Sequence, residues 1–155
     1  MPREVMERAA SDNAYLHKDF HGALSAGIEY VHQRYGPEAV REFLRQFASS
    51  FYAPIKADLK RRGLIALKEY FERIYRIEGG RADMRCSPDE LRIDVKACPA
   101  VAHMRAHGYA VARLYRETTR TVNEALCEDT PFAAELVSYD EQTGRNVQRF
   151  FRREP

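Results

Sequence analysis

Between Met84 and Cys98 the chain reads Met-Arg-Cys-Ser-Pro-Asp-Glu-Leu-Arg-Ile-Asp-Val-Lys-Ala-Cys. Met84 and Cys86, then Leu91, Ile93, Val95 and Ala97, alternate with arginine, aspartate and lysine. That is the period of two of a strand with one buried face. Ser87-Pro88-Asp89-Glu90 supplies turn chemistry between the two runs, so the stretch predicts a β-hairpin.

Upstream the period is helical. Phe20, Leu24, Gly27, Ile28, Val31 and Tyr35 recur at three- and four-residue steps, and Asn13 is the expected N-cap of this first helix. Residues 1 to about 12 are polar and are expected to fray. Gly36-Pro37 ends the first helix and opens a second, marked by Val40, Phe43, Leu44, Phe47 and Phe51. Pro54 starts a third, which stops at Gly63, and Leu64, Leu67, Tyr70, Phe71, Ile74 and Tyr75 carry a fourth to Gly79-Gly80.

Downstream, Pro99 suits the first turn of a short helix through His107, closed by Gly108. A longer helix is expected from Tyr109 to Leu126, and Thr130-Pro131 breaks it. Residues 133–139 and 145–152 read as strands around Glu141-Gln142-Thr143-Gly144, a second hairpin. The expectation is one α+β domain over residues 1–155. A helical N-terminal half precedes two hairpins, which form a four-stranded antiparallel sheet covered on one face by helices.

Hydrophobic residues make up 45% of the chain and charged residues 31%, and 25 Lys and Arg against 23 Asp and Glu leave a net charge of +2. No clustered basic excess points to nucleic acid. No window has the apolar length of a membrane span or a signal peptide, and the 3 cysteines lack disulfide spacing, so a cytoplasmic protein is expected. Phosphate loops, dinucleotide fingerprints and Gly-x-Ser-x-Gly elbows are absent.

Chemically capable side chains gather between Cys98 and Asp129. His103 and His107 stand one helical turn apart, as do His17 and His21, a spacing that lets two imidazoles reach one metal. Cys98, His103, His107 and Cys127 together would make a reasonable site for zinc or another divalent metal. The plainer reading is that the histidines are half-buried helix residues packed on aromatics.

Cys98, at a strand-to-helix junction, has the helix dipole to favour a thiolate, the usual activation of a nucleophilic thiol. A small core residue is the plainer reading of all three cysteines, and for Cys86 the preferred one. Glu128 and Asp129 follow Cys127 and could hold a general base or simply a solvated pair. Arg113, Arg116 and Arg120 could grip a carboxylate, and Tyr15, Tyr30, Tyr52 and Tyr115 could line a pocket with hydroxyl groups. A solvated helix face explains the arginines equally well.

The order of parts resembles the L-2-amino-thiazoline-4-carboxylic acid hydrolase-like family of small bacterial and archaeal proteins. The likeness runs from about His17 to Arg152. It is carried by Val95-Lys96-Ala97-Cys98-Pro99, by Leu126-Cys127-Glu128-Asp129 and by the Thr143-Gly144 turn. The last strand, Arg145 to Phe151, has no cysteine where some relatives carry one. The resemblance implies hydrolytic opening of a cyclic amidine to a carbamoyl-cysteine, by thiol- or metal-assisted addition of water. On that reading Cys98, His103, Cys127 and Glu128 are catalytic, Arg113 and Tyr115 bind the substrate, and His103 and His107 hold any metal. Two rivals stand beside it: a small-molecule sensor without catalysis, and an adaptor that forms a homodimer through an aromatic helix face. The hydrolase reading requires both sulfurs and the His103–His107 couple to meet around one hollow.

Overall fold

The computed structural model describes residues 19–155, so the expectations placed on Asn13, Tyr15 and His17 lie outside the described residues. The order of elements is α1 (Asp19–Tyr35), α2 (Pro37–Phe51), α3 (Ala53–Arg62), α4 (Leu64–Glu78), β1 (Arg81–Cys86), β2 (Glu90–Ala97), α5 (Pro99–Ala106), α6 (Glu117–Cys127), β3 (Phe132–Tyr139) and β4 (Asn146–Arg152). The strands form one antiparallel sheet in the order β1-β2-β4-β3. The fold is the α+β arrangement expected. No helix among the described residues is long and apolar enough to cross a membrane.

The register explains which side of the sheet is buried. Leu91 pairs with Phe150, Ile93 with Gln148 and Val95 with Asn146, and all six are buried. β1 adds Cys86, Met84 and Ala82 to the same rows, and β3 adds Ala134 and Leu136. The row nearest the β2–α5 junction carries polar groups where the far rows carry hydrocarbon.

A register shift between Leu136 and Ser138 extends that polarity. Strict alternation after Phe132, Ala134 and Leu136 would turn Ser138 inward; the irregularity instead leaves Ser138 exposed and sets the half-buried Tyr139 opposite Asn146.

Two apolar clusters fill the space under the helices. One gathers Ile28, Val40, Leu44, Val101, Met104 and Leu114; the other gathers Leu59, Leu64, Leu67, Ile93, Leu126 and Phe150. Tyr52 and Cys98 pack against both. Each of these buried apolar side chains adds about 1.5–3 kcal/mol of hydrophobic stabilisation.

The helix expected from Tyr109 begins only at Glu117. Residues 107–116 are turn and irregular chain, because their backbone groups are taken by α1. The Ser25 hydroxyl donates to the Ala110 carbonyl at 3.0 Å and accepts the Ala112 N–H at 2.8 Å. The Arg113 N–H donates to the Glu29 carboxylate at 3.1 Å. An apolar period of 3.6 was present in this segment, and tertiary hydrogen bonds overrode it.

Candidate functional site

Cys98 follows β2 directly and is the N-cap residue of α5, with Pro99 at the first helical position. Two glycines hold this junction from either side. A Cβ built on Gly144, in the β3–β4 turn, would lie 2.9 Å from the Cys98 Cβ and 2.6 Å from Val101 Cγ2. One built on Gly80 would lie 2.9 Å from Pro99 Cδ and 3.1 Å from the Ala97 carbonyl oxygen. Only chains without side chains can approach so closely, so the position of the sulfur is set by backbone contact.

Burial pushes the Cys98 thiol above its ordinary range, and the Ala100 and Val101 amides act in the opposite direction. Neither amide caps the helix by a hydrogen bond to sulfur. The dipole argument foresaw a thiolate; desolvation outweighs it, and the resting group is a thiol.

Around it stands a layer of polar side chains drawn from distant parts of the chain. His21 Nε2 lies 3.0 Å from Glu78 Oε1, and its Nδ1 lies 3.5 Å from the Tyr115 hydroxyl. In the neutral imidazole this arrangement assigns the proton to Nε2, which donates to the carboxylate, and leaves Nδ1 to accept from Tyr115. Tyr115, Tyr75 and Tyr139 are pushed well above the usual phenol range, first by burial, and any negative charge on Cys98 would push them further, with Glu78 adding to the first two. These hydroxyl groups therefore keep their protons at neutral pH.

The sheet contributes amides. Asn123 Nδ2 donates to Gln148 Oε1 at 2.8 Å, and Gln148 Nε2 donates both to Asn146 Oδ1 at 2.9 Å and to the Tyr75 hydroxyl at 3.2 Å. Such a network fixes each side chain because every partner is needed by another.

The residues foreseen as a site are scattered by this fold. Tyr115 and Cys98 share the polar layer. Cys127 is sealed in the second apolar cluster, where burial pushes its thiol up to about 12. Its carbonyl accepts Arg153 Nη2, at the end of the sheet where Phe132 pairs with Arg152 and Glu90 with Phe151. Cys98 lies past the other end of β2, so the two sulfurs are about a strand length apart, roughly 20 Å or more.

Glu128 is exposed at the C-terminus of α6. Arg113 is exposed and already bound to Glu29, its Nε 2.9 Å from Oε1. His103 and His107 pack ring against ring, 4.1 Å between centroids, with Tyr109 beside them, and the His107 Nδ1 meets the His103 carbonyl oxygen at 2.9 Å. No group of three or more His, Cys, Asp or Glu among the described residues is arranged to hold a metal ion. The set of Cys98, His103, His107 and Cys127 is therefore not assembled among the described residues, and the length of β2 separates the two sulfurs.

Sequence reasoning missed Glu78, Tyr75, Tyr139, Asn146 and Gln148. A signal for the last two was present: in β4 they occupy the inward parity shared with Phe150, where an apolar residue is the rule. Compared with protein-family models, with curated proteins and with solved structures, the chain matches none.

Proposed function

We propose that the chain is a hydrolase of a small cyclic amidine of the 2-amino-thiazoline-4-carboxylate type, working through Cys98. The observation that supports this is a partly buried thiol within electrostatic reach of Glu78 and Tyr115, the two groups that His21 joins by hydrogen bonds. The resemblance to the thiazoline hydrolase-like family points the same way. The meeting of both sulfurs with the His103–His107 couple, which the sequence reading required, does not occur, so the proposal is a narrower one that rests on Cys98 and Tyr115, without His103, His107, Cys127 or Glu128.

The reaction divides into two displacements. The Cys98 sulfur adds to the amidine carbon while its proton passes, by way of His21, to the ring nitrogen. The ring C–S bond then breaks, and the departing sulfur leaves as a thiolate that accepts a hydrogen bond from the Tyr115 hydroxyl. Water adds to the resulting isothiouronium carbon and displaces Cys98, one water proton returning to the Cys98 sulfur and the other going to the thiolate of the product. The sum is substrate plus one water giving a carbamoyl-cysteine. Glu78 holds the imidazole in the tautomer that this transfer requires.

Turnover of the thiazoline by the purified chain, with and without chelator, tests the reading. Cys98→Ala is expected to lower the rate by more than about 100-fold, and Cys127→Ala to leave it within about threefold. Unchanged turnover after Cys98→Ala removes the thiol from the mechanism. A second reading, a sensor that binds a small molecule without reaction, is favoured by the raised pKa of Cys98, which makes it a poor nucleophile at rest. A retained ligand in protein that hydrolyses no amidine would select it.

A further inference from the structure

Away from Cys98, along the same layer, α4 and α6 enclose a cavity of about 80 Å³ above β4. At about 30 Å³ per water it has room for two to three water-sized groups, the size of a very small organic molecule. Its aromatic walls are Tyr52, Tyr70, Phe71 and Tyr75. Tyr52 and Tyr70 meet at 86° with centroids 6.2 Å apart, and Tyr70 and Phe71 at 72° and 5.4 Å, so the rings stand as walls and not as a stack. Hydrogen-bonding groups come from Thr119, Asn123 and Gln148.

The charge of this lining decides what suits it. No lysine, arginine, histidine or carboxylate is among the described residues that line the cavity. Glu78, beyond the lining, is the one acidic side chain whose charge acts on Tyr52, Tyr70 and Tyr75 together. Aromatic faces attract cations, and most strongly where water is excluded. A guanidinium already rests against this wall: Arg73 Cζ lies 5.8 Å from the Tyr70 ring centroid without lining the cavity. The Asn123 amide already donates to Gln148 Oε1, and the Gln148 amide to Asn146 and the Tyr75 hydroxyl. An anion would find no cation among the described lining residues.

We propose that this aromatic cavity binds a small planar organic cation of the guanidinium or amidinium class, held by the faces of Tyr52, Tyr70 and Tyr75 and by the amides of Asn123 and Gln148. The proposal goes beyond the hydrolase reading, since it is built from α4, α6 and β4 and needs no reaction at Cys98.

The probe is guanidinium chloride at millimolar concentration, far below denaturing levels, with urea as the neutral molecule of the same shape and sodium chloride as the ionic-strength control. Side-chain amide resonances of Asn123 and Gln148 in the full chain are followed by NMR. The expected result is a saturable shift with guanidinium, none with sodium chloride, and binding of urea weaker by roughly tenfold, the worth of one desolvated cation–π contact. Tyr70→Phe keeps the ring and retains binding within about threefold; Tyr70→Leu loses roughly tenfold. Equal midpoints for urea and guanidinium would overturn the cation preference. Absence of saturation with either probe would make this a water-filled space and overturn the proposal outright, as would undiminished binding by folded Tyr70→Leu. The guanidinium–urea comparison on the unsubstituted chain decides the matter even where Tyr70→Leu does not fold.

Discussion

A Cβ added to Gly144 would stand 2.9 Å from the Cβ of Cys98, although 45 residues of chain separate the two positions. The β3–β4 turn is thus a wall of the Cys98 junction, and the backbone at Gly144, with φ of 72°, lies where other residues are strained. Gly144→Ala adds overpacking to that strain and is expected to cost about 2–4 kcal/mol. Gly27→Ala is the control, since nothing stands within 4 Å of the added methyl in α1. It should stabilise the chain by about 0.5–1 kcal/mol in urea unfolding. Equal effects of the two would show that the turn does not press on Cys98.

The amide chain from Asn123 through Gln148 to Tyr75 invites a double-mutant cycle. Asn123→Leu or Gln148→Leu alone strands a buried partner and should cost about 1–3 kcal/mol. The pair together should cost less than the sum by about 1 kcal/mol, because the second change removes the stranded group. Strict additivity in denaturant unfolding would mean that the two amides do not share a bond.

Glu117 is wholly buried at the start of α6, with the Thr121 hydroxyl donating to Oε2 at 2.6 Å and Arg41 Nε 3.6 Å from Oε1. Removing this carboxylate leaves the Arg41 Nε edge without a counter-charge in α6, since Glu38 holds only Nη1. Glu117→Ala is expected to cost about 2–4 kcal/mol, and Glu124→Ala on the exposed face of the same helix less than about 0.5 kcal/mol. Thermal or urea unfolding distinguishes them.

Burial raises the Cys127 pKa to about 12 and that of Cys98 in the same direction. An unfolded chain releases these protons near the ordinary thiol value, whereas the folded chain retains them. The two groups therefore contribute stability that is complete below about pH 8.5 and is lost as pH rises toward 12. Stability should decline through that alkaline window, less steeply in Cys127→Ala. In native protein at pH 8, alkylation followed by peptide mass spectrometry should find Cys127 the last thiol to react, behind Cys98 and the half-exposed Cys86. Early modification of Cys127 would contradict its enclosure.

Much of the architecture was legible in the residues alone. The alternation from Met84 to Ala97, the four helical stripes before it and the glycine and proline breaks are local signals, and the elements form where those signals lie. The segment 109–116 was misread because its helical period competes with Ser25 and Glu29, residues some 85 positions away. Of the site, the sequence singled out Cys98, His21 and Tyr115, yet joined Cys98 to the wrong partners. Sequence proximity to Cys127, His103 and His107 suggested one cluster; the length of β2 holds the two sulfurs apart, and no metal-holding group forms among the described residues.

What the chain determined by itself is therefore the class of fold and the address of Cys98, since both follow from periodicity and from residues a few positions apart. What only the tertiary structure decided is the company that the sulfur keeps. The charge beside it comes from the end of α4, the imidazole from the start of α1, and Tyr139 is turned inward by a register shift that alternation does not foretell. Such neighbours are set by how buried faces pack, and packing is a property of the whole chain at once.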